Sequence, residues 1–64
     1  PEEPVTQYNV ACVYALQGQA EAAIDCLEKA LKFGFGHKDW IEHDSDLNSL
    51  RSHARFQKLL EGLA

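Results

Sequence analysis

The chain has 64 residues, so it forms one domain at most, and its 45% hydrophobic and 25% charged residues are ordinary for a globular protein. The formal net charge of −4 disfavours nucleic acid and anionic membranes as partners, because both require basic surfaces. No apolar run approaches the roughly 20 residues of a membrane span, and no signal peptide is visible.

The first predicted helix begins near Pro4, since proline suits the first turn of a helix, and it ends at Gln17. Gly18 follows, where a left-handed residue can end the helix at little cost. Within this helix the larger residues Val10, Val13 and Tyr14 follow helical spacing. The small residues Ala11 and Ala15 lie beside them.

The second predicted helix runs from Ala20 to Lys32. Its apolar residues recur at intervals of three and four, with charges on the opposite side: Ala20, Ala23, Ile24, Leu27, Ala30 and Leu31. A connection this short makes the two helices antiparallel neighbours. We expect the small side chains Ala11, Ala23 and Ala30 to lie where the two helices cross, because they allow the backbones to approach closely.

This spacing resembles the tetratricopeptide repeat (TPR), a helix–turn–helix unit of about 34 residues. The matching positions are Val10-Ala11, Tyr14, Gly18, Ala23, Leu27 and Ala30. Two positions depart from the pattern: Gln7 stands in place of the family's Trp, and Phe35 in place of its terminal Pro. The resemblance covers about half of the chain and implies a TPR helical hairpin over residues 4–33.

Residues 34–64 are expected to form short capping helices. Gly34-Phe35-Gly36 ends the second helix, and Phe35 can anchor in the core. A short helix is predicted over 37–43 with Trp40 and Ile41 facing inward. An acidic turn follows, in which Asp44 or Ser45 can cap a helix, and then an apolar turn at Leu47 and Leu50. Ser52 can cap a last helix. The apolar residues of that helix are Phe56, Leu59, Leu60 and Leu63.

The second half is also similar to the end of TPR arrays. Its matching segments are Asp44-Ser45-Asp46, Leu47-Asn48-Ser49-Leu50-Arg51 and Arg55-Phe56-Gln57-Lys58-Leu59-Leu60. The resemblance implies the last repeat of an array, which needs a cap because one helix pair cannot cover its own apolar face. We therefore predict an all-α fold in which residues 1–64 form a single TPR-like domain.

The two cysteines, Cys12 and Cys26, lie on different predicted helices, and two cysteines make no disulfide framework. Cys12 is expected on the outer side of the first helix, and Cys26 one residue away from the buried stripe. Free, reduced thiols are therefore expected, and they favour a cytoplasmic location.

Metal and catalytic sites are not indicated. His37 and His43 are six residues apart, and no histidine or cysteine pair has the close spacing of structural zinc ligands. The acidic turn at Asp44 opens like a calcium loop, but the positions for the obligatory Gly and Glu hold Ser49 and Arg55. There is no phosphate-binding loop and no nucleophile motif. We expect no cofactor, no metal and no enzymatic activity.

In TPR arrays the first helix of each repeat lines the binding groove, and the corresponding positions here are Val5, Tyr8, Cys12, Ala15 and Leu16. Tyr8 and Cys12 replace residues that hold a carboxylate in some members, so hydrophobic docking of a peptide or helix is expected instead. The alternative is that this face packs against an adjacent repeat or a second copy in a homo-oligomer.

The resemblance thus implies a non-catalytic protein–protein interaction module. Two alternatives stay open, namely a structural cap of a larger array and a regulatory appendage of an enzyme.

Overall fold

The computed structural model describes residues 3–63, so Pro1, Glu2 and Ala64, the ends of the predicted domain, lie outside the described residues. The helices in chain order are α1 (Pro4–Leu16), α2 (Ala20–Lys32), α3 (Lys38–His43), a 3-10 helix (Ser45–Leu50) and α4 (Ala54–Glu61). Residues 3–63 contain no strand. The all-α prediction is confirmed, and the bounds of α1, α2 and α3 lie within one residue of those predicted.

Two glycines with positive φ end α1 and α2 in the same way: Gly18 has φ 77° and Gly34 has φ 100°. After α1, the Gly18 N–H donates to the Ala15 carbonyl at 3.1 Å and the next N–H to the Tyr14 carbonyl at 2.9 Å. The equivalent pair after α2 includes the Phe35 N–H and the Ala30 carbonyl at 2.9 Å. This pair of hydrogen bonds is a Schellman motif, which provides donors for carbonyls in the last turn of each helix.

The core between α1 and α2 is built on small residues. Ala11, Ala23 and Ala30 are completely buried, as predicted for a close helix crossing. Ile24 and Leu27 of α2 are also completely buried. Each of these two larger side chains contributes about 1.5–3 kcal/mol of transfer free energy relative to an exposed position.

The C-terminal half closes over this helix pair. The 3-10 helix packs against α1, and α4 packs against α2. The side chains with no exposed surface in this half are Ile41, Leu47, Leu50 and Phe56. They join the alanines and Ile24 in one hydrophobic cluster, to which Phe35 also belongs. The predicted anchoring of Phe35 in the core is confirmed, and the buried side chains of both halves form one continuous cluster.

Two predictions in this half need correction. Trp40 is 41% exposed and not inward, because its ring lies over the rim of the core, stacked on His37 with centroids 4.3 Å apart. The cap of α4 is His53 and not Ser52: the His53 Nδ1 atom accepts the Arg55 N–H at 3.2 Å. The acidic turn behaves as predicted, since an Asp44 carboxylate oxygen accepts the Asp46 N–H at 2.9 Å.

A cluster of ion pairs holds α4 against α2. The Arg55 guanidinium donates to three carboxylates of α2: Glu21 at 2.6 Å, Asp25 at 2.6 Å and Glu28 at 2.8 Å. The bond from Arg55 is the main reason that the pKa of Glu21 lies below its usual value. Because these groups are on the surface, salt weakens their attraction.

We expect Arg55→Met to speed hydrogen exchange of the α4 amides at low salt, while the amides of α1 are little affected. This variant keeps most of the aliphatic packing and removes the guanidinium, with its charge and its hydrogen bonds to α2. Added NaCl at about 1 M, where the Debye length is near 3 Å, should remove most of the difference from the unmodified chain. Equal exchange rates of α4 at low salt would contradict the role given to Arg55.

Candidate functional site

Three polar groups meet where α1 faces the acidic turn. The Tyr8 hydroxyl donates to the Asp44 Oδ2 atom at 2.6 Å. The Cys12 thiol lies 3.9 Å from the same oxygen and donates to it. Tyr8 is 2% exposed and Cys12 8% exposed, so both donors are buried, while the acceptor Asp44 is partly exposed. Asp44 therefore ties the C-terminal half to the middle of α1, while its other oxygen caps the 3-10 helix.

Burial and the Asp44 charge shift the protonation of this group. Burial raises the pKa of the Tyr8 phenol far above its usual value, and the bond to Asp44 adds to the effect. Burial also raises the pKa of Cys12 to about 11, with the negative charge of Asp44 as the next cause. The hydrogen bond from Tyr8 lowers the pKa of Asp44. At neutral pH the phenol and the thiol keep their protons and the carboxylate is charged, which makes the short bond from Tyr8 a strong one, while the longer contact from the thiol is weak.

This geometry corrects the predicted binding groove. Tyr8, Cys12 and Ala15 are buried in the chain's own core, and the Ser49 hydroxyl donates to the Ala15 carbonyl at 3.0 Å. The face they form is occupied by residues 44–50 of the same chain. Cys12 is accordingly inside and not on the outer side of α1. Both cysteines are free.

Of the five predicted groove residues, Val5 and Leu16 are open to a partner, at 45% and 68% exposure. They belong to a different side of α1, which also includes Val10 at 40% and Val13 at 53% exposure. The helical spacing of the valines is real, but the buried side of α1 is the one with the alanines and Tyr8. The valines are left outside because α2 and the 3-10 helix occupy the two sides next to the alanines.

We call this exposed side the outer face of α1 and define it by its exposed residues: Val5, Thr6, Asn9, Val10, Val13 and Leu16. Successive 100° steps place all six within one continuous arc of the helix. Residues 4–20 contain none of the chain's ten acidic and six basic side chains. The outer face is therefore uncharged and mostly apolar.

The Tyr8–Asp44 bond gives a prediction for Tyr8→Phe. This variant keeps the ring, which stacks on Phe35 with centroids 4.6 Å apart, and removes only the hydroxyl. We expect a loss of about 1.5–3 kcal/mol in the free energy of unfolding at pH 7, because the bond is made to a charged acceptor. Urea titration measures this loss. Tyr14→Phe, in which the tyrosine is only partly buried, is the matched control.

The same variant changes the pH dependence of stability. The pKa of Asp44 is lowered in the folded chain, so its contribution is fully present above the pKa of an unfolded aspartate, about 4. This contribution to stability is lost as the pH falls through the lower pKa that Asp44 has in the folded chain. Tyr8→Phe should raise the pKa of Asp44, as followed by carboxyl NMR, and should reduce the stability lost in acid. An unchanged Asp44 titration would contradict the bond.

Cys12, Asp44 and Asp46 bring a sulfur and two carboxylate oxygens within 4.8 Å of one another. Structural zinc requires four ligands with deprotonated thiolates. Here the Cys12 thiol holds its proton, with a pKa raised to about 11, and the carboxylate of Asp44 accepts three hydrogen bonds from the protein. Cys12 and Asp44 are thus engaged in the contact between α1 and the acidic turn.

Sequence reasoning missed two structural roles. Arg51 appeared in a motif without a role, yet its guanidinium donates to the Asp44 carbonyl at 2.9 Å and to the Ile41 carbonyl at 3.4 Å. Asp44 was expected to cap a helix, and its contact with Tyr8 was not expected. The sequence contains no pattern that would have predicted either contact. The acceptors of Arg51 are backbone carbonyls, which carry no residue identity, and Tyr8 is 36 positions away from Asp44.

Comparison with known proteins gave an informative similarity. No protein-family model matches the chain, and no solved structure matches it. No helix within residues 3–63 is long and apolar enough to cross a membrane. The chain is 44% identical over 62 residues to a curated protein of Arabidopsis thaliana whose name describes it as chloroplastic. The similarity covers 95% of this chain but 18% of that relative, so the chain spans less than one fifth of the length of the protein that it is similar to.

Proposed function

We propose that this chain is a non-catalytic protein–protein interaction module of the TPR type, and that its docking surface is the outer face of α1. The observation that carries the proposal is the contrast between α1 and the rest of the surface. α1 has no charged residue, whereas α2 and α4 present charged residues to solvent. A surface helix normally presents charged and polar residues to solvent, whereas the polar residues on the outer face of α1 are only Thr6 and Asn9.

Four aliphatic side chains on the outer face are 40–68% exposed. Contiguous exposed apolar surface of this kind marks interaction sites. No pocket lies within residues 3–63 that a small substrate could enter, and the thiol of Cys12 is protonated and buried. We therefore propose that the outer face of α1 binds another protein, and that this role requires no cofactor or metal.

The alternative is a structural cap or a regulatory appendage of a larger protein, possibly an enzyme. It is supported by the relative, which is more than five times as long as the aligned segment. In that case the outer face would contact a neighbouring part of the same polypeptide. Adjacent TPR units would meet through such an uncharged helix side.

Photo-crosslinking tests the docking surface. A benzophenone amino acid at Val13 reports on partners of the outer face, and the same probe at Lys58, exposed on α4, is the control. We expect crosslinked protein from Val13 and none from Lys58. Leu16→Glu should abolish the Val13 products, because binding would require an unpaired carboxylate to be desolvated. Equal crosslinking from both positions, or unchanged products with Leu16→Glu, would contradict the proposal.

For the location we propose a reducing compartment, because the chain has free thiols and no disulfide between its two cysteines. The cytoplasm is the compartment expected from the sequence. The name of the relative favours the chloroplast as the alternative. Fluorescence of the full-length protein fused to a reporter distinguishes the two.

A further inference from the structure

We propose that His53 makes the first turn of α4 sensitive to pH: the neutral ring caps the helix, and the protonated ring releases it. The groups involved belong to α2, to α4 and to the turn before α4, so this device is independent of the outer face of α1. It gives the chain a local conformational response and assigns one tautomer to His53.

The contacts of the His53 ring determine where its proton lies. The Nδ1 atom accepts the Arg55 N–H at 3.2 Å, and a backbone N–H can only donate. The Nε2 atom lies 3.0 Å from the Glu21 Oε2 atom, and a charged carboxylate can only accept. One neutral form of the ring satisfies both contacts, namely the form with the proton on Nε2. In that form His53 caps α4 and bonds to α2 at the same time.

A second proton on the ring would occupy Nδ1, the atom that accepts the Arg55 N–H. Both ring nitrogens are then donors, so two N–H groups would face each other and the cap is lost. The bond from Nε2 to Glu21 is kept and becomes an ion pair. Protonation therefore replaces the cap of α4 with a stronger link to α2. Histidine ordinarily changes charge between about pH 5 and 8, so this exchange needs only a mild change of pH.

The charged groups around His53 act on the protonated ring in opposite directions. Glu21 favours the positive ring, whereas the Arg55 guanidinium and the positive end of α4 disfavour it. Arg51 donates instead to backbone carbonyls of α3 and of the acidic turn. Because these effects oppose each other, we expect the response in the first turn of α4 and not in the whole fold. The carboxylates of α2 that accept from Arg55 are Glu21, Asp25 and Glu28.

The Arg55 amide reports directly on the cap. Arg55 is the second residue of α4, before the first amide that bonds to the helix backbone, which is Gln57 N–H to the His53 carbonyl at 3.0 Å. The acceptor of the Arg55 amide is the His53 Nδ1 atom. The His53 side chain is 31% exposed, so its ring can take up a proton from solvent while the chain stays folded.

NMR measures ring protonation and amide exchange in the same sample. Imidazole nitrogen shifts should show the single proton of the neutral ring on Nε2. As the pH falls from about 8 to about 5, the Arg55 amide should lose about fivefold in protection, the factor for a typical helix cap, after correction for intrinsic exchange. The Asp46 amide is the internal control. Its cap is the Asp44 carboxylate, whose lowered pKa keeps it charged over this range, so its protection should not change.

Two variants separate the cap from the titration. Asparagine is a good helix cap and does not titrate, so in His53→Asn the Arg55 amide should stay protected throughout the pH range. In His53→Ala the cap is absent, and protection should be low throughout. His43→Asn, exposed on α3, is the matched control and should keep the pH response of Arg55. Circular dichroism checks folding, and the measurement on the unmodified chain decides the proposal if a variant does not fold.

Three results on the unmodified chain would overturn the proposal. They are a neutral ring with its proton on Nδ1, a ring that takes up no second proton down to about pH 5, and an Arg55 amide whose protection is unchanged when the ring is protonated. A pH response that persists in His53→Asn would assign the change to another titrating group and would also overturn it. None of these results affects the outer face of α1 as the proposed docking surface.

Discussion

Phe56→Ala should lower the free energy of unfolding by about 3–5 kcal/mol, a large part of the stability of a chain of this size. Phe56 of α4 is completely buried, and the Arg51 guanidinium lies 5.7 Å from its ring centroid. Removing a buried phenylalanine costs about 3–5 kcal/mol, from lost transfer free energy and from the cavity that remains. A chain of this size has a total stability of only about 3–10 kcal/mol. The substitution therefore removes a large part of the stability, and circular dichroism with urea titration measures it.

Lys58→Ala is the control for this substitution, because Lys58 lies on the same helix but is exposed. Alanine also has the higher helix propensity, so the control should change stability by less than about 0.5 kcal/mol. A loss below about 1 kcal/mol for Phe56→Ala would mean that α4 is not part of the cooperative core. The position of Arg51 over the ring would then have no energetic significance.

Ala23→Leu is expected to destabilise the fold by about 1–3 kcal/mol, through overpacking instead of a cavity. Ala23 is completely buried at the contact between α1 and α2. Three further carbons can be accommodated only if the two helices separate, which loosens Ile24 and Leu27 on the same side of α2. Thermal unfolding gives the change in stability.

Ala22→Leu adds the same atoms at the neighbouring position, which is only partly buried, and serves as the matched control. It should be nearly neutral, because the side chain can extend over the surface. If both variants were equally stable, the helix contact at Ala23 would have free space. The conclusion that α1 and α2 approach closely at Ala23 would then be wrong.

The local features were predictable because their causes are local. Gly18 and Gly34 end two helices through a backbone conformation that glycine adopts without strain, so the turns could be located from single residues. The apolar stripe of α2 was also predictable, because the charged residues on its opposite side are exposed and differ clearly from the apolar residues that are buried. The bounds of α2 agree with the prediction at both ends.

The candidate site could not be predicted in the same way. α1 lacks charged residues, so its sequence does not distinguish the side that is buried from the side that is exposed. The choice depends on where residues 44–50 pack, which is a contact between distant parts of the chain. The groove prediction assumed an open side of α1, and the chain itself fills that side through Asp44 and Ser49.

The bond between Tyr8 and Asp44 joins residues 36 positions apart, and this has a consequence for synthesis on the ribosome. The N-terminal helices emerge first and form from nearby contacts, while the segment that shields Tyr8 follows only after α3. A polypeptide whose synthesis has not yet reached Asp44 therefore exposes the apolar side of α1 around Tyr8, which residues 44–50 cover once they have been added.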